Sequence, residues 1–159
     1  VAALNPDVQV HPPAVRADAA LLNDLVAQAD VVLDCSDNFA TRQAVNAACV
    51  RHGVPLVSGA AIRFDGQLAV YDPRRDDCPC YACVFPPDTA FEETRCATMG
   101  VFAPLVGIIG SMQAAEALKL LIPAGESLNG KLMLLNALDM QWRTLRLKKD
   151  PHCAVCAQG

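Results

Sequence analysis

The sequence predicts an α/β domain whose sheet passes from parallel to antiparallel strands, and three observations carry that expectation. A continuous apolar run, Val31-Val-Leu33, ends in the turn and cap residues Asp34-Cys-Ser-Asp-Asn38. A helical stretch follows, which is the pattern of a buried parallel strand feeding a helix. Asp65-Gly66 between two apolar runs is a two-residue hairpin signal. Lys131-Leu-Met-Leu-Leu135 and Trp142-Arg-Thr-Leu-Arg-Leu147 read as a closing antiparallel pair.

Each element follows in order. Val1-Ala-Ala-Leu4 reads as the last turn of a helix closed by Asn5-Pro6, and the first residue is not Met, so the sequence is expected to be a piece of a longer chain. Val8-Gln-Val10 is a candidate strand, broken by His11-Pro-Pro13. Asp18 can cap a helix running through Ala29, with Leu21, Leu22, Leu25 and Val26 on one face. A second helix is expected from Phe39 to His52, closed by Gly53. Pro55-Leu-Val-Ser58 opens the next strand, and Gly59-Ala-Ala61 is small, as needed where another backbone or a ligand passes close. Ile62-Arg-Phe64 and Gln67-Leu-Ala-Val-Tyr71 flank the hairpin signal, residues 72–98 read as loop, and an apolar helix is expected from Met99 to Ile122.

Composition bounds the function. The 159 residues are the size of one domain, and 53% apolar with 19% charged residues suffices for a packed core. A net charge of −4 with no basic run speaks against nucleic acid as a partner. Met99 to Ala115 carries no charge, but Glu116 and Lys119 follow on the same helical pattern, so a buried helix fits better than a membrane span. Eight cysteines without a signal peptide point to metal-bound and free thiols in a reducing cytoplasm rather than to disulfides.

Two C-x-x-C pairs, Cys80-Tyr-Ala-Cys83 and Cys153-Ala-Val-Cys156, supply four soft ligands. That is the tetrahedral set of a structural Zn²⁺, closed to substrate. Neither pair sits between a strand and a helix as a redox dithiol does. Cys78 and His152 lie beside the pairs and read as bystanders, and Cys35 and Cys49 fall in apolar runs and read as core.

Asp37 and Asn38 stand beyond the carboxyl end of a parallel strand and at a helix N-terminus, where open α/β sheets bind ligands. A carboxylate there can hold Mg²⁺ against triphosphate oxygens; equally, Asp37 or Ser36 can simply cap the helix. Arg42, one turn on, either points to the same crevice or is a solvated surface arginine. Cys96, beside Arg95 and near a helix start, has the setting of a nucleophile. Glu92 and Glu93 oppose that, and an idle thiol is the better-supported reading from these features alone.

Together, Asp34-Cys-Ser-Asp-Asn38-x-x-x-Arg42, Pro55-Leu-Val-Ser-Gly-Ala-Ala61, Gly66-Gln67, Pro79-Cys-Tyr-x-Cys83, Ala103-Pro-Leu-Val-Gly-Ile-Ile-Gly110 and Cys153-x-x-Cys156 resemble the MoeB/ThiF/HesA group, bacterial relatives of ubiquitin-activating enzymes. The resemblance runs in one colinear order from about Asn5 to Gln158. It implies a Rossmann-like, homodimeric, ATP-binding fold that adenylates the C-terminal Gly-Gly of a ubiquitin-like sulfur carrier, MoaD- or ThiS-like, for molybdopterin or thiamine synthesis. A sulfurtransferase or cysteine desulfurase would be the sulfur donor. Residue by residue, Asp37 matches the group's aspartate near Mg-ATP, and Asn38 and Arg42 match its nucleotide-site motif. Cys80, Cys83, Cys153 and Cys156 match its zinc ligands, and Cys96 matches the loop cysteine that bonds the carrier in ThiF-like members.

By the same resemblance, residues 1–159 read as a single partial domain, the C-terminal portion, with zinc knuckles at 80–83 and 153–156. Members of the group begin with a glycine-rich phosphate loop, and only Val1 to Leu4 stand before Asn5-Pro6 here. A chain of this extent is therefore expected to be inactive alone. The competing expectation is a non-catalytic carrier-binding or dimerisation module. The long helix, with Gly107, Gly110 and Ala114, reads as core, with a dimer seam as the other possibility.

Overall fold

The computed structural model describes residues 1, 3–88, 99–122 and 124–157. Among the described residues the elements run in the order α1 (Ala19–Val26), β1 (Val32–Asp34), α2 (Phe39–His52), β2 (Leu56–Ile62), β3 (Asp65–Tyr71), α3 (Tyr81–Val84), α4 (Ala103–Leu121), β4 (Lys131–Asn136) and β5 (Gln141–Arg146). The five strands form one sheet in the order β1-β2-β3-β4-β5. The β1–β2 pair is parallel and the other three pairs are antiparallel, as the sequence predicts.

Strand alternation builds a three-layer sandwich. Leu56, Ala69, Tyr71 and Leu132 face α1 and α2, meeting Leu22, Val26, Val45, Ala48 and Cys49. Val57, Leu68 and Val70 face the other way, onto Ala117 of α4, while Leu105 and Ile109 of α4 meet Leu135. Both α1 and α2 begin with a side-chain cap: Leu21 N–H donates to Asp18 Oδ1 at 2.9 Å and Thr41 N–H donates to Asn38 Oδ1 at 2.8 Å. Gly53, with φ 65°, closes α2 in the left-handed region that favours glycine.

Several expectations are corrected. Val8–Val10 forms no strand and is exposed; no described strand lies beyond β1 to pair with it. β1 is an edge, so Leu33 is 41% exposed rather than buried. The hairpin turn is not Asp65-Gly66: Ile62 pairs with Asp65, so the chain turns at Arg63-Phe64, with Arg63 at φ 50°. Gly66 is instead the second residue of β3, where a Cβ would come within 2.8 Å of Leu105 and 2.9 Å of Ile109. Its glycine serves helix packing. Gly66→Val should therefore push α4 off the sheet and lower stability by about 1–3 kcal/mol, read as a fall in the urea midpoint.

The apolar helix starts at Ala103, not Met99; Pro104 occupies its first turn, and Arg63 bridges to Val101. Only one face of α4 is core: Leu105, Ile109, Gln113, Glu116 and Ala117 are buried. Val106, Leu118 and Leu121 are about half exposed, and Gly107 and Gly110 face open space. The core reading of those glycines is overturned. By length and composition α4 could cross a membrane, but its buried face carries Gln113 and Glu116. Glu116 accepts from Leu128 N–H at 2.8 Å and pairs with Lys119.

Candidate functional site

Two constellations emerge, joined by α2. The first is the turn after β1. Ser36 N–H and Oγ–H donate to Asp34 Oδ1 at 2.9 and 2.6 Å, and Arg42 Nη2 donates to the Ser36 carbonyl at 2.7 Å. Arg42 Nε lies 3.9 Å from Asp34 Oδ2, and neither of these buried atoms has a hydrogen-bond partner. Asp34 is buried, so each of the two charges depends on the other for compensation. From the opposite layer Gln113, 3% exposed, donates to the carbonyls of Asp34 at 2.9 Å and Val57 at 3.2 Å. It passes so close to Gly59 that a Cβ there would meet it at 2.4 Å. The close approach at Gly59 is thus made by a side chain, that of Gln113.

Within this locked turn Asp37 is exposed. The helix cap is Asn38, not Asp37 or Ser36. Asp37 is therefore released from that structural duty; Asn38 Nδ2 approaches its Oδ1 at 3.4 Å. Asn38 spends its oxygen on the cap. Arg42 is no solvated surface arginine: its side chain is 16% exposed and turned inward. Burial pushes the Tyr81 phenol up, against the pull of Arg42 beside it. Cys35, expected in the core, is exposed, while Cys49 is buried and burial pushes its thiol up to about 12.

The second constellation brings together the four cysteines. Cys80, Cys83, Cys153 and Cys156 have sulfurs that all lie within 4.8 Å of one another. Cys83 and Cys156 are 3.4 Å apart, Cys80 and Cys153 3.7 Å, and Cys80 and Cys83 3.9 Å. A tetrahedral metal with bonds of about 2.3 Å to sulfur separates its ligands by about 3.8 Å, so the set fits such an ion. Burial pushes Cys80 up to about 11 and raises Cys156 as well. Four sulfurs this close can carry negative charge together only around a cation.

Cys78 and His152 stand outside the set. Cys78 instead pins its own loop: its thiol lies 2.6 Å from Asn129 Oδ1 and takes Asp72 N–H at 3.2 Å. Cys96 lies outside the described residues.

Sequence reasoning passed over Asn46 and Gln113. Asn46, 1% exposed, accepts from Tyr81 N–H at 2.8 Å and donates to Cys80 Sγ at 3.6 Å. Gln43, one turn earlier, donates to the Phe85 carbonyl at 2.6 Å. The signal was an uncharged amide inside an apolar helical run, where Leu would be expected.

Comparison with known proteins places this geometry. Residues 1–155 match the ThiF family. The chain is 44% identical to the SAMP-activating enzyme E1 of Haloferax volcanii, over 100% of this chain and 58% of that protein. It is 43% identical to the molybdopterin-synthase adenylyltransferase of Escherichia coli K12, over 98% of this chain and 61% of that protein. With the sulfur carrier protein ThiS adenylyltransferase of the same organism the identity is 46%, over 96% and 60% respectively. The chain thus spans about three-fifths of the length of these relatives. A crystal structure of E. coli MccB with MccA-N7isoASN shares the fold, with a TM-score of 0.80 at 21% identity over 98% of this chain and 48% of that one.

Proposed function

Since this chain belongs to the ThiF family, we propose that it forms part of an adenylyltransferase that activates the C-terminal Gly-Gly carboxylate of a ubiquitin-like sulfur carrier. The observation that carries the reading is Asp37. It is an exposed carboxylate beyond the carboxyl end of β1, relieved of capping by Asn38 and set on a turn locked by Asp34, Arg42 and Gln113. That is where open α/β sheets receive nucleotides. Mg²⁺ held there would neutralise triphosphate oxygens. The carrier's carboxylate oxygen attacks the α-phosphorus of ATP, the bond to the bridging oxygen breaks, and pyrophosphate leaves. The acyl-adenylate is then open to a sulfur donor.

Zinc belongs to the same proposal: the sulfur spacings suit it, and a closed four-thiolate site serves structure rather than chemistry. The homodimer does too, supported by the uncovered face of α4 with Gly107 and Gly110. Arg42 is committed to Ser36 and Asp34, so the positive charge that adenylyl transfer needs must come from other groups. This favours, as a second reading, a carrier-binding or dimerisation module.

Carrier-dependent exchange of labelled pyrophosphate into ATP separates the two readings. The enzyme reading expects exchange from a protein extended at its N-terminus to the length of the relatives, and none from these 159 residues alone. An extended protein that is silent with both MoaD-like and ThiS-like carriers overturns it and leaves the module.

A further inference from the structure

Among the described residues, one side chain from outside the four-cysteine cluster, that of Asn46, donates to a cluster sulfur; the other outside donor is a backbone amide, Asp150 N–H to Cys83 Sγ. Asn46 is a fully buried amide in the apolar stretch Ala44-Val45-Asn46-Ala47-Ala48 of α2. Burying an amide is costly unless both of its ends are satisfied. Here both ends meet the first knuckle. The oxygen takes Tyr81 N–H, one of the unpaired donors at the start of α3, whose own N-cap residue, Cys80, makes no side-chain cap bond. The nitrogen donates to Cys80 Sγ. Asn46 shares a helix face with Gln43, which holds Phe85, and with Val50, which packs on the cluster. Among these three only Asn46 reaches a sulfur. At the other end of α2 is the turn that carries Asp37.

We infer that Asn46 is the positioning residue of the metal site: its N–H···S bond holds Cys80 in ligating geometry and withdraws electron density from the thiolate, while its oxygen sets the turn of the knuckle. The inference rests on the reading of the cluster as a metal site. Groups that hydrogen-bond a metal's ligands typically contribute about 10- to 100-fold to metal affinity.

Asn46→Asp is nearly isosteric, keeps an acceptor for Tyr81 and removes the donor to sulfur. It should weaken zinc binding about tenfold or more in chelator competition. In the cobalt-substituted protein it should move the sulfur-to-cobalt charge-transfer band to lower energy, because the thiolate loses its hydrogen bond. Gln43→Ala removes a bond to the same knuckle without touching sulfur, and should leave the band in place. An Asn46→Asp protein with wild-type band and affinity overturns the inference. A wild-type protein that takes up no cobalt overturns the metal reading beneath it, which is a separate result. Should Asn46→Asp not fold, the cadmium-substituted wild-type protein decides: a spin coupling between cadmium and the Asn46 side-chain protons, carried through the Cys80 sulfur, is expected, and its absence overturns the bond.

Discussion

Replacing Cys153 and Cys156 together with serine should strip the metal from the protein and lower its stability by roughly 4 kcal/mol or more. The size follows from how little else holds the chain's last turn. After β5, whose residues are all exposed, Leu147 still donates to the Gly130 carbonyl at 2.8 Å and packs on the core, but residues 148–157 return to the body with few other described anchors. Lys149 reaches the Asp76 carbonyl at 3.2 Å, and Asp150 N–H lies 3.5 Å from Cys83 Sγ, itself part of the cluster. Cys153 is buried in a small cluster with Cys80 and Ala82 of the first knuckle, against which Val50 and Val155 pack. The first knuckle is better supported, since Gln43 and Asn46 hold it from α2. The loss should therefore be lopsided: the segment beyond Arg146 opens to proteolysis, while α2 and β2 keep their amide protection. Metal analysis gives the direct test, with about one zinc per chain expected in the wild type. Unchanged metal content in the double variant would exclude these ligands.

This clamp was legible from sequence because its chemistry is local: two C-x-x-C spacings announce themselves whatever surrounds them. Capping was legible for the same reason, although Asn38 rather than its neighbours took the role. What sequence could not show was set by distant partners. Asp65-Gly66 has turn chemistry, but Gly66 answers to Leu105 and Ile109, about forty residues away, and the turn moved to Arg63-Phe64. Leu33, Gly107 and Gly110 read as interior because apolar and small residues usually are; nothing local says whether a neighbouring element covers them. Asn46 and Gln113 went unnoticed since an amide has no motif. Each gains meaning only from the carbonyl or sulfur that tertiary structure brings to it. The acidic corner itself was found from Asp34-Cys-Ser-Asp-Asn38, but its division of labour was not. Asp34 builds the turn, while Asp37 is left exposed.

That division yields the second large effect. On the proposed reading, in the protein extended to the length of its relatives, Asp37→Asn should reduce carrier-dependent pyrophosphate exchange about 100-fold or more, because that reading makes Asp37 a partner of the metal–triphosphate. Its thermal midpoint should barely move, as Asp37 is exposed and, among the described residues, takes a long contact from Asn38. Asp34→Ala should behave differently. It removes the acceptor of both Ser36 bonds and leaves the inward-turned Arg42, whose Nε is buried, without its counter-charge, which should lower stability by about 3 kcal/mol. Activity would fall there as well, since the turn that presents Asp37 is lost, but it would fall together with folding. The informative comparison is therefore activity against melting temperature for the two variants. Full exchange activity in Asp37→Asn would remove the carboxylate from the chemistry. An equal drop in melting temperature for both variants would make Asp37 a structural residue and leave the nucleotide to be held elsewhere.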